Sequence, residues 1–242
     1  MAIDLTGKVC VLTGCGQGIG EALARGFVAR GAIVVATSRH TPDVAEAALN
    51  LAWEVSDENR AEEVMREVVE RFGRVDSFIA NAALMPRENW NELSPQSWRE
   101  VLAANLDGAW WGAQAAARQM TAQKNGKIVF ISSIEVELGV AVHVHYDASK
   151  AALIGLTRSL ARAVGADGVR VNCVMVGAIQ TTSELRQFPD QDAVRRWCDE
   201  RQCVPGRLQS EDMVPTFAFL CSSESDAITG QVICADNGLV HY

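Results

Sequence analysis

The sequence predicts a single α/β domain: a doubly wound parallel sheet of about seven strands with helices on both faces. Three observations carry that reading. Short apolar runs alternate with helical patterns from Lys8 to Cys234, the first run leads through a glycine loop into a helix, and small or polar residues collect where the runs end. With 242 residues, 48% hydrophobic and 21% charged, the chain can bury one core without staples, so residues 1–242 are assigned to one domain. Lys and Arg total 22 against 30 Asp and Glu; the net charge of -8 argues against a nucleic-acid or anionic-membrane surface. Seven cysteines are an odd number without CxxC spacing, which predicts reduced thiols and no metal site. Met1-Ala2-Ile3-Asp4-Leu5 carries no basic stretch ahead of an apolar one, and no apolar run approaches a membrane span, so a cytoplasmic protein is expected.

Lys8–Thr13 is a strand ended by Gly14-Cys15-Gly16-Gln17-Gly18-Ile19-Gly20, and a helical pattern continues to Gly31. Strand, glycine loop and helix in that order suit a dinucleotide. Glycines let the backbone turn and approach a pyrophosphate, whose charge meets the N–H groups of the first helical turn. A plain structural turn is the alternative for the loop alone; its flanking strand and helix favour the nucleotide. A second strand, Ile33–Thr37, ends at Ser38-Arg39-His40. An acidic residue there would bind a ribose 2′-hydroxyl, whereas arginine accommodates a 2′-phosphate, so Ser38 and Arg39 favour NADP(H) over NAD(H). Arg39 as a solvated loop residue, or stacked on adenine, is the other reading.

Residues 42–51 leave room for about two helical turns before Ala52-Trp53-Glu54-Val55. Asp57 reads as the N-cap of a helix over Glu62–Phe72 that stops at Gly73. The strand Val75–Ala80 runs into Asn81-Ala82-Ala83. Ser94-Pro95 then opens a helix that continues past Asn105, a polar amide on an apolar face, to Met120. Gly126–Ile131 is a strand ending in Ser132-Ser133. A helix over Tyr146–Gly165, a strand over Val169–Val174, an irregular polar region up to Pro205, a helix over Glu211–Leu220 and a strand over Gln231–Cys234 complete the order. Tyr146 and Lys150 are four apart on their helix and share a face, where an ammonium stabilises a phenolate. That spacing is common by chance, and its meaning depends on the other motifs.

Together these motifs resemble the short-chain dehydrogenase/reductase family over nearly the whole chain. Thr13 to Gly20 is similar to that family's TGxxxGxG loop, Asn81-Ala82-Ala83 to its NNAG segment, and Tyr146 to Lys150 to its YxASK. Asn105, Ser133, Tyr146 and Lys150 fall on the family's catalytic tetrad, with the usual serine-to-tyrosine spacing. The resemblance implies hydride transfer between a nicotinamide and a carbonyl carbon. Tyr146 exchanges the proton, Ser133 holds the substrate oxygen, Lys150 together with the positive nicotinamide of the oxidised complex lowers the phenol pKa, Lys150 also binds ribose hydroxyls, and Asn105 holds a water linked to Lys150. It also implies cofactor contacts from Gly14, Gln17, Gly18, Ile19, Gly20, Ser38, Arg39, Glu54, Val55, Asn81, Ala82, Tyr146, Lys150, Ile179 and Thr181. Val176 stands where the family has the proline of its PG motif, and Asp236-Asn237-Gly238 replaces its DGG.

The substrate pocket is expected from Leu84 to Trp90, Ile134 to His145, and a lid at about 182–203. These segments supply Trp90, Glu135, Val136, Glu137, Leu138, Val140, His143, His145 and Trp197. His143 and His145 point the same way if the segment is extended, without enough ligands for a metal. The expected substrate is a neutral, moderately apolar ketone or alcohol. A 3-oxoacyl-carrier-protein reductase and a catalytically idle cofactor-sensing or scaffold protein are the alternatives. The intact tetrad disfavours the idle protein, and the negative charge disfavours an acidic carrier. The resemblance further implies a homotetramer, with Ala113, Ala115, Ala116 and Ala117 on one helix, and Ala148, Ala151, Ala152 and Gly155 on another, allowing close approach.

Overall fold

The computed structural model describes residues 3–241; Met1, Ala2 and Tyr242 lie outside them. The elements run β1 (Val9–Leu12), α1 (Gly18–Val28), β2 (Ile33–Ser38), β3 (Leu49–Ala52), α2 (Glu58–Phe72), β4 (Ser77–Ala80), α3 (Pro95–Leu102) and α4 (Gly108–Gln123). They continue with β5 (Gly126–Ser133), α5 (Glu135–Leu138), α6 (Val144–Val164), β6 (Val169–Val176), β7 (Ile179–Gln180), α7 (Thr182–Gln187), α8 (Gln191–Arg201), β8 (Leu208–Gln209), α9 (Val214–Cys221) and β9 (Val232–Ala235).

Seven strands form one sheet in the order β3-β2-β1-β4-β5-β6-β9, and every pairing in it is parallel. Strand alternation divides the core in two. Val9 and Val11 face one layer with Ile128 and Phe130, covered by α2, α4 and α6; Cys10 and Leu12 face the other with Val129 and Ile131, covered by α1 and α9. The chain turns back on itself between β1 and β4, which opens a crevice beyond the carboxyl ends of those strands. Among the described residues no helix is long and apolar enough to cross a membrane.

Several elements differ from the sequence reading. No helix forms between β2 and β3, and β3 begins at Leu49 rather than Ala52. The apolar side chain in that stretch, Val44, is pinned by both its N–H and its carbonyl to the Asn50 amide, so the segment is held as a loop. The region before Pro205 is not irregular: Thr181 and Asp190 accept backbone N–H bonds as N-caps and start α7 and α8. The helix carrying Asn105 is interrupted between α3 and α4 by a π turn over Ala103–Asp107, closed by the Gly108 N–H on the Ala103 carbonyl. Asp57 caps α2 through Asn59 and Arg60, and Gly73 ends it with a positive φ of 75°.

The two sets of small residues differ as well. Ala113, Ala115, Ala116 and Ala117 are buried against the sheet within the chain's own core, whereas Ala148, Ala151 and Gly155 are exposed on α6. Asn237, standing where a glycine was expected, takes a positive φ of 57° that asparagine tolerates better than most residues.

Candidate active site

The crevice divides into two connected cavities. The first, about 320 Å³, is lined by Gly14, Gln17, Gly18, Ile19, Ser38, Arg39, Glu54, Val55, Asn81 and Ala82, together with Trp53, Ala104 and Thr181. Its floor requires glycine. A Cβ on Gly20 would stand 2.2 Å from the Gly14 carbonyl oxygen and 2.4 Å from Asn81 Nδ2. Gly20 therefore supports the loop from below rather than lining the cavity.

Thr13 ties this floor together. Its hydroxyl accepts the N–H groups of Asn81 and Ala82 at 3.0 and 3.1 Å, and Asn81 Nδ2 donates back to the carbonyls of Thr13 and Gly14. Thr13 opens the glycine motif in the sequence, yet its role is visible only once β4 lies beside β1. Gln17, the N-cap of α1, makes no side-chain cap bond, so the first-turn N–H groups are left for a ligand. Arg39 is exposed at the rim and takes part in no ion pair among the described residues. An anionic ligand with a pyrophosphate fits these residues.

The second cavity, about 570 Å³, shares Ile19, Asn81 and Thr181 with the first and carries Ser133, Tyr146, Lys150 and Ile179 on its wall. β5 delivers Ser133 at its last residue, and the first turns of α6 deliver Tyr146 and Lys150. Lys150 is buried and donates from Nζ to the Ile131 carbonyl at 2.8 Å. Thr181 accepts the Glu184 N–H, which leaves its hydroxyl proton free to donate. Asn105 is buried on the π turn. Its amide donates to the Leu84 carbonyl and the Ser149 hydroxyl and accepts the Leu84 N–H at 2.7 Å, so the side chain braces the loop after β4.

The surroundings of the phenol favour its protonated form. The phenol of Tyr146 is pushed well above its usual value, first by burial and then by the negative charge of Glu135, with the Ser133 hydroxyl pulling the other way. Lys150 is itself lowered to about 8 by burial, and its ammonium lies 5.7 Å from the centre of the Tyr146 ring. The protein's own groups thus hold Tyr146 in its protonated form.

Several pocket expectations also change. Trp90 is 75% exposed and lies outside the cavity, as do Val136 and Glu137; Glu135, Leu138, Val140 and Trp197 line it. Met85, Phe188 and Val194, which the sequence did not single out, line it too. His143 and His145 are not on an extended segment. His143 precedes α6 and His145 lies within it, and the two rings meet different partners. His145 is buried 3.8 Å from Glu88.

His143 is fully buried, with Nδ1 2.8 Å from Glu135 Oε2 and Nε2 3.2 Å from Gln187 Oε1. Gln187 spends its own N–H on the Met85 carbonyl at 2.9 Å, which orients the amide with oxygen toward the ring. Both ring nitrogens therefore face oxygen atoms, which ties Glu135, His143 and Gln187 into one chain. Asp147 beside them is raised to about 6, by burial first, with its Val140 N–H bond opposing and Glu135 adding to the rise. A carboxyl raised in the folded state contributes stability that is complete below 3.8 and is lost as pH rises through about 6. Asp147→Asn removes that loss, so the variant gains on the wild type across this window in urea denaturation. A gap that stays constant with pH would refute the assignment.

Fold and site together define a dinucleotide-dependent oxidoreductase of the Rossmann-like α/β type. The family model described as enoyl-(acyl-carrier-protein) reductase matches residues 14–240. The 3-oxoacyl-(acyl-carrier-protein) reductase of Thermotoga maritima is 33% identical over 250 residues, covering 98% of this chain and 99% of its own. The L-rhamnose 1-dehydrogenase (NAD(P)(+)) of Azotobacter vinelandii is 32% identical, covering 97% of each. A crystal structure of a gluconate 5-dehydrogenase from Burkholderia cenocepacia, in complex with NADP and tartrate, superposes with a TM-score of 0.89 at 29% identity, covering 98% of this chain and 96% of that one. The chain belongs to the short-chain dehydrogenase/reductase family and is an NAD(P)-dependent oxidoreductase.

Proposed function

We propose that this single-domain enzyme interconverts a carbonyl and a secondary alcohol on a neutral, moderately apolar substrate, with NADP(H) favoured over NAD(H). The observation that carries this reading is the sharing of one cavity wall by Ser133, Tyr146 and Lys150, next to the glycine loop. When bound, the nicotinamide supplies or accepts the hydride. Tyr146 exchanges the proton with the substrate oxygen; its raised pKa keeps the phenol protonated and ready to donate to a carbonyl. Ser133 holds that oxygen beside Tyr146, a bond that strengthens as charge develops on it. Lys150 binds ribose hydroxyls, and Asn105 is a positioning residue that fixes the loop after β4. Gly14, Gln17, Gly18, Ile19 and Thr181 hold the phosphates, and Glu54, Val55, Asn81, Ala82 and Ile179 flank the remaining groups. Residues 182–203, with the helices α7 and α8, act as the lid and present Phe188, Val194 and Trp197 to the cavity. The chains assemble as a homotetramer through the exposed small-residue face of α6 and the C-terminal elements.

Cofactor choice rests on Arg39 and Ser38 at the end of β2, where no carboxylate stands to repel a 2′-phosphate. The kcat/KM ratio for NADPH over NADH is expected to exceed about tenfold, corresponding to one charge-assisted contact, and to fall toward one in Arg39→Ala. A wild-type preference for NADH would refute the role given to Arg39.

A further inference from the structure

Met85, Ile134, Leu138, Val140, Phe188 and Trp197 make most of the substrate cleft apolar, and two carboxylates interrupt it. They are held differently. Glu184 is spent on the buried guanidinium of Arg207, 2.7 Å away. Glu135 meets no cation of Arg or Lys among the described residues; one of its oxygens lies 2.8 Å from His143 Nδ1, and its carboxyl also interacts with that of Asp147.

Glu135 is also placed at the reacting end of the cleft. Its backbone N–H donates to the Ser133 hydroxyl at 3.2 Å, so the two residues hold adjacent parts of the same wall. His143 fixes the carboxylate, Gln187 of α7 fixes His143, and Met85 fixes Gln187; three separate segments bordering the cleft thus converge on one acceptor. A carboxylate offers about four acceptor sites, so with His143 and Asp147 in place Glu135 still accepts from a donor in the cleft. A donor on the carbon next to the reacting one is in position to meet it.

We propose that Glu135 is a specificity-determining residue that accepts a hydrogen bond from a hydroxyl on the carbon adjacent to the reacting carbonyl. The preferred substrate is then an α-hydroxy ketone on an apolar body, or the corresponding vicinal diol in the oxidative direction. This rests on the carbonyl–alcohol reading above. The same geometry disfavours an α-keto acid, whose carboxylate would set acceptor against acceptor.

The test is steady-state kinetics of the purified full-length chain with NADPH and NADH on four ketones of one apolar body: acetophenone, 2-hydroxyacetophenone, 2-aminoacetophenone and phenylglyoxylate. The hydroxy ketone is expected to exceed acetophenone in kcat/KM by about 10- to 100-fold, the range of one hydrogen bond to a charged acceptor, with phenylglyoxylate last. Glu135→Leu brings the hydroxy-ketone to acetophenone ratio toward one, and Glu135→Gln, which keeps an acceptor oxygen, retains part of it. A wild-type ratio near one, or a ratio unchanged in a folded Glu135→Leu, overturns the proposal while the carbonyl reading survives. An amino ketone preferred over the hydroxy ketone overturns the hydroxyl assignment in favour of a cation. Failure to turn over any of the ketones, with NADP(H) still bound, overturns the carbonyl reading and this proposal with it.

Discussion

Tyr146→Phe is expected to lower kcat for carbonyl reduction by about 10³-fold, within the range attributed to a positioned general acid. Cofactor affinity is expected to stay within a few-fold of wild type. The phenol is buried, held protonated by its surroundings and hydrogen-bonded with the Ser133 hydroxyl, so it is a proton donor beside that serine. Phenylalanine keeps the ring and its packing against His143, whose centroid lies 5.9 Å away, and removes only the proton. Single-turnover reduction and cofactor fluorescence titration separate the two effects. A near-normal rate with Phe at this position would end the proposed mechanism.

The second large effect is structural in origin. Gly20→Ala gains about 1 kcal/mol in helix propensity but drives a methyl to 2.2 Å from the Gly14 carbonyl oxygen. The clash wins, because neither partner is free to retreat. Gly14 is held by Asn81, and Asn81 is held by Thr13. Overpacking against anchored backbone costs about 1–3 kcal/mol and at the upper end exceeds the propensity gain. The variant is expected to lose net stability and at least tenfold in cofactor affinity, since the displaced loop is the proposed phosphate cradle. Denaturant unfolding and dinucleotide titration measure both. A variant that is more stable and binds equally well would show that the loop has slack.

Much of this fold is legible in local signals. Asp57, Gly73 and Ser94-Pro95 mark helix ends by their own backbone chemistry, and the alternation of apolar runs gives the sheet. Ser133, Tyr146 and Lys150 stand out because each lies at a strand end or helix start, where spacing along the chain becomes spacing in the site. The lid is hidden for a physical reason: α8 buries only Cys198, its apolar stripe of Val194, Trp197 and Cys198 is one turn long within a charged sequence, and α7 is a short helix begun by Thr181. The bond from His143 to Gln187 spans 44 residues and is set by tertiary packing alone. No local pattern separates His143 from His145. Their different fates follow from where α6 begins, at Val144, between the two histidines. The raised pKa of Tyr146 is likewise non-local, since it comes from burial and from the carboxylate of Glu135 on the preceding short helix.

The π turn at Ala103–Asp107 makes Asn105 a matter of phase. One residue more than a regular helix needs is accommodated there, so α3 and α4 keep their own inward faces across an offset of about 100°, the rotation per helical residue. Removing any one of the five residues would restore an unbroken helix and improve its intrinsic propensity. It would also swing the small inward stripe of Ala109, Gly112, Ala113 and Ala116 off Phe78 and Trp53, or else carry Asn105 away from Leu84. This stretch can therefore tolerate exchange of side chains far better than a change of length.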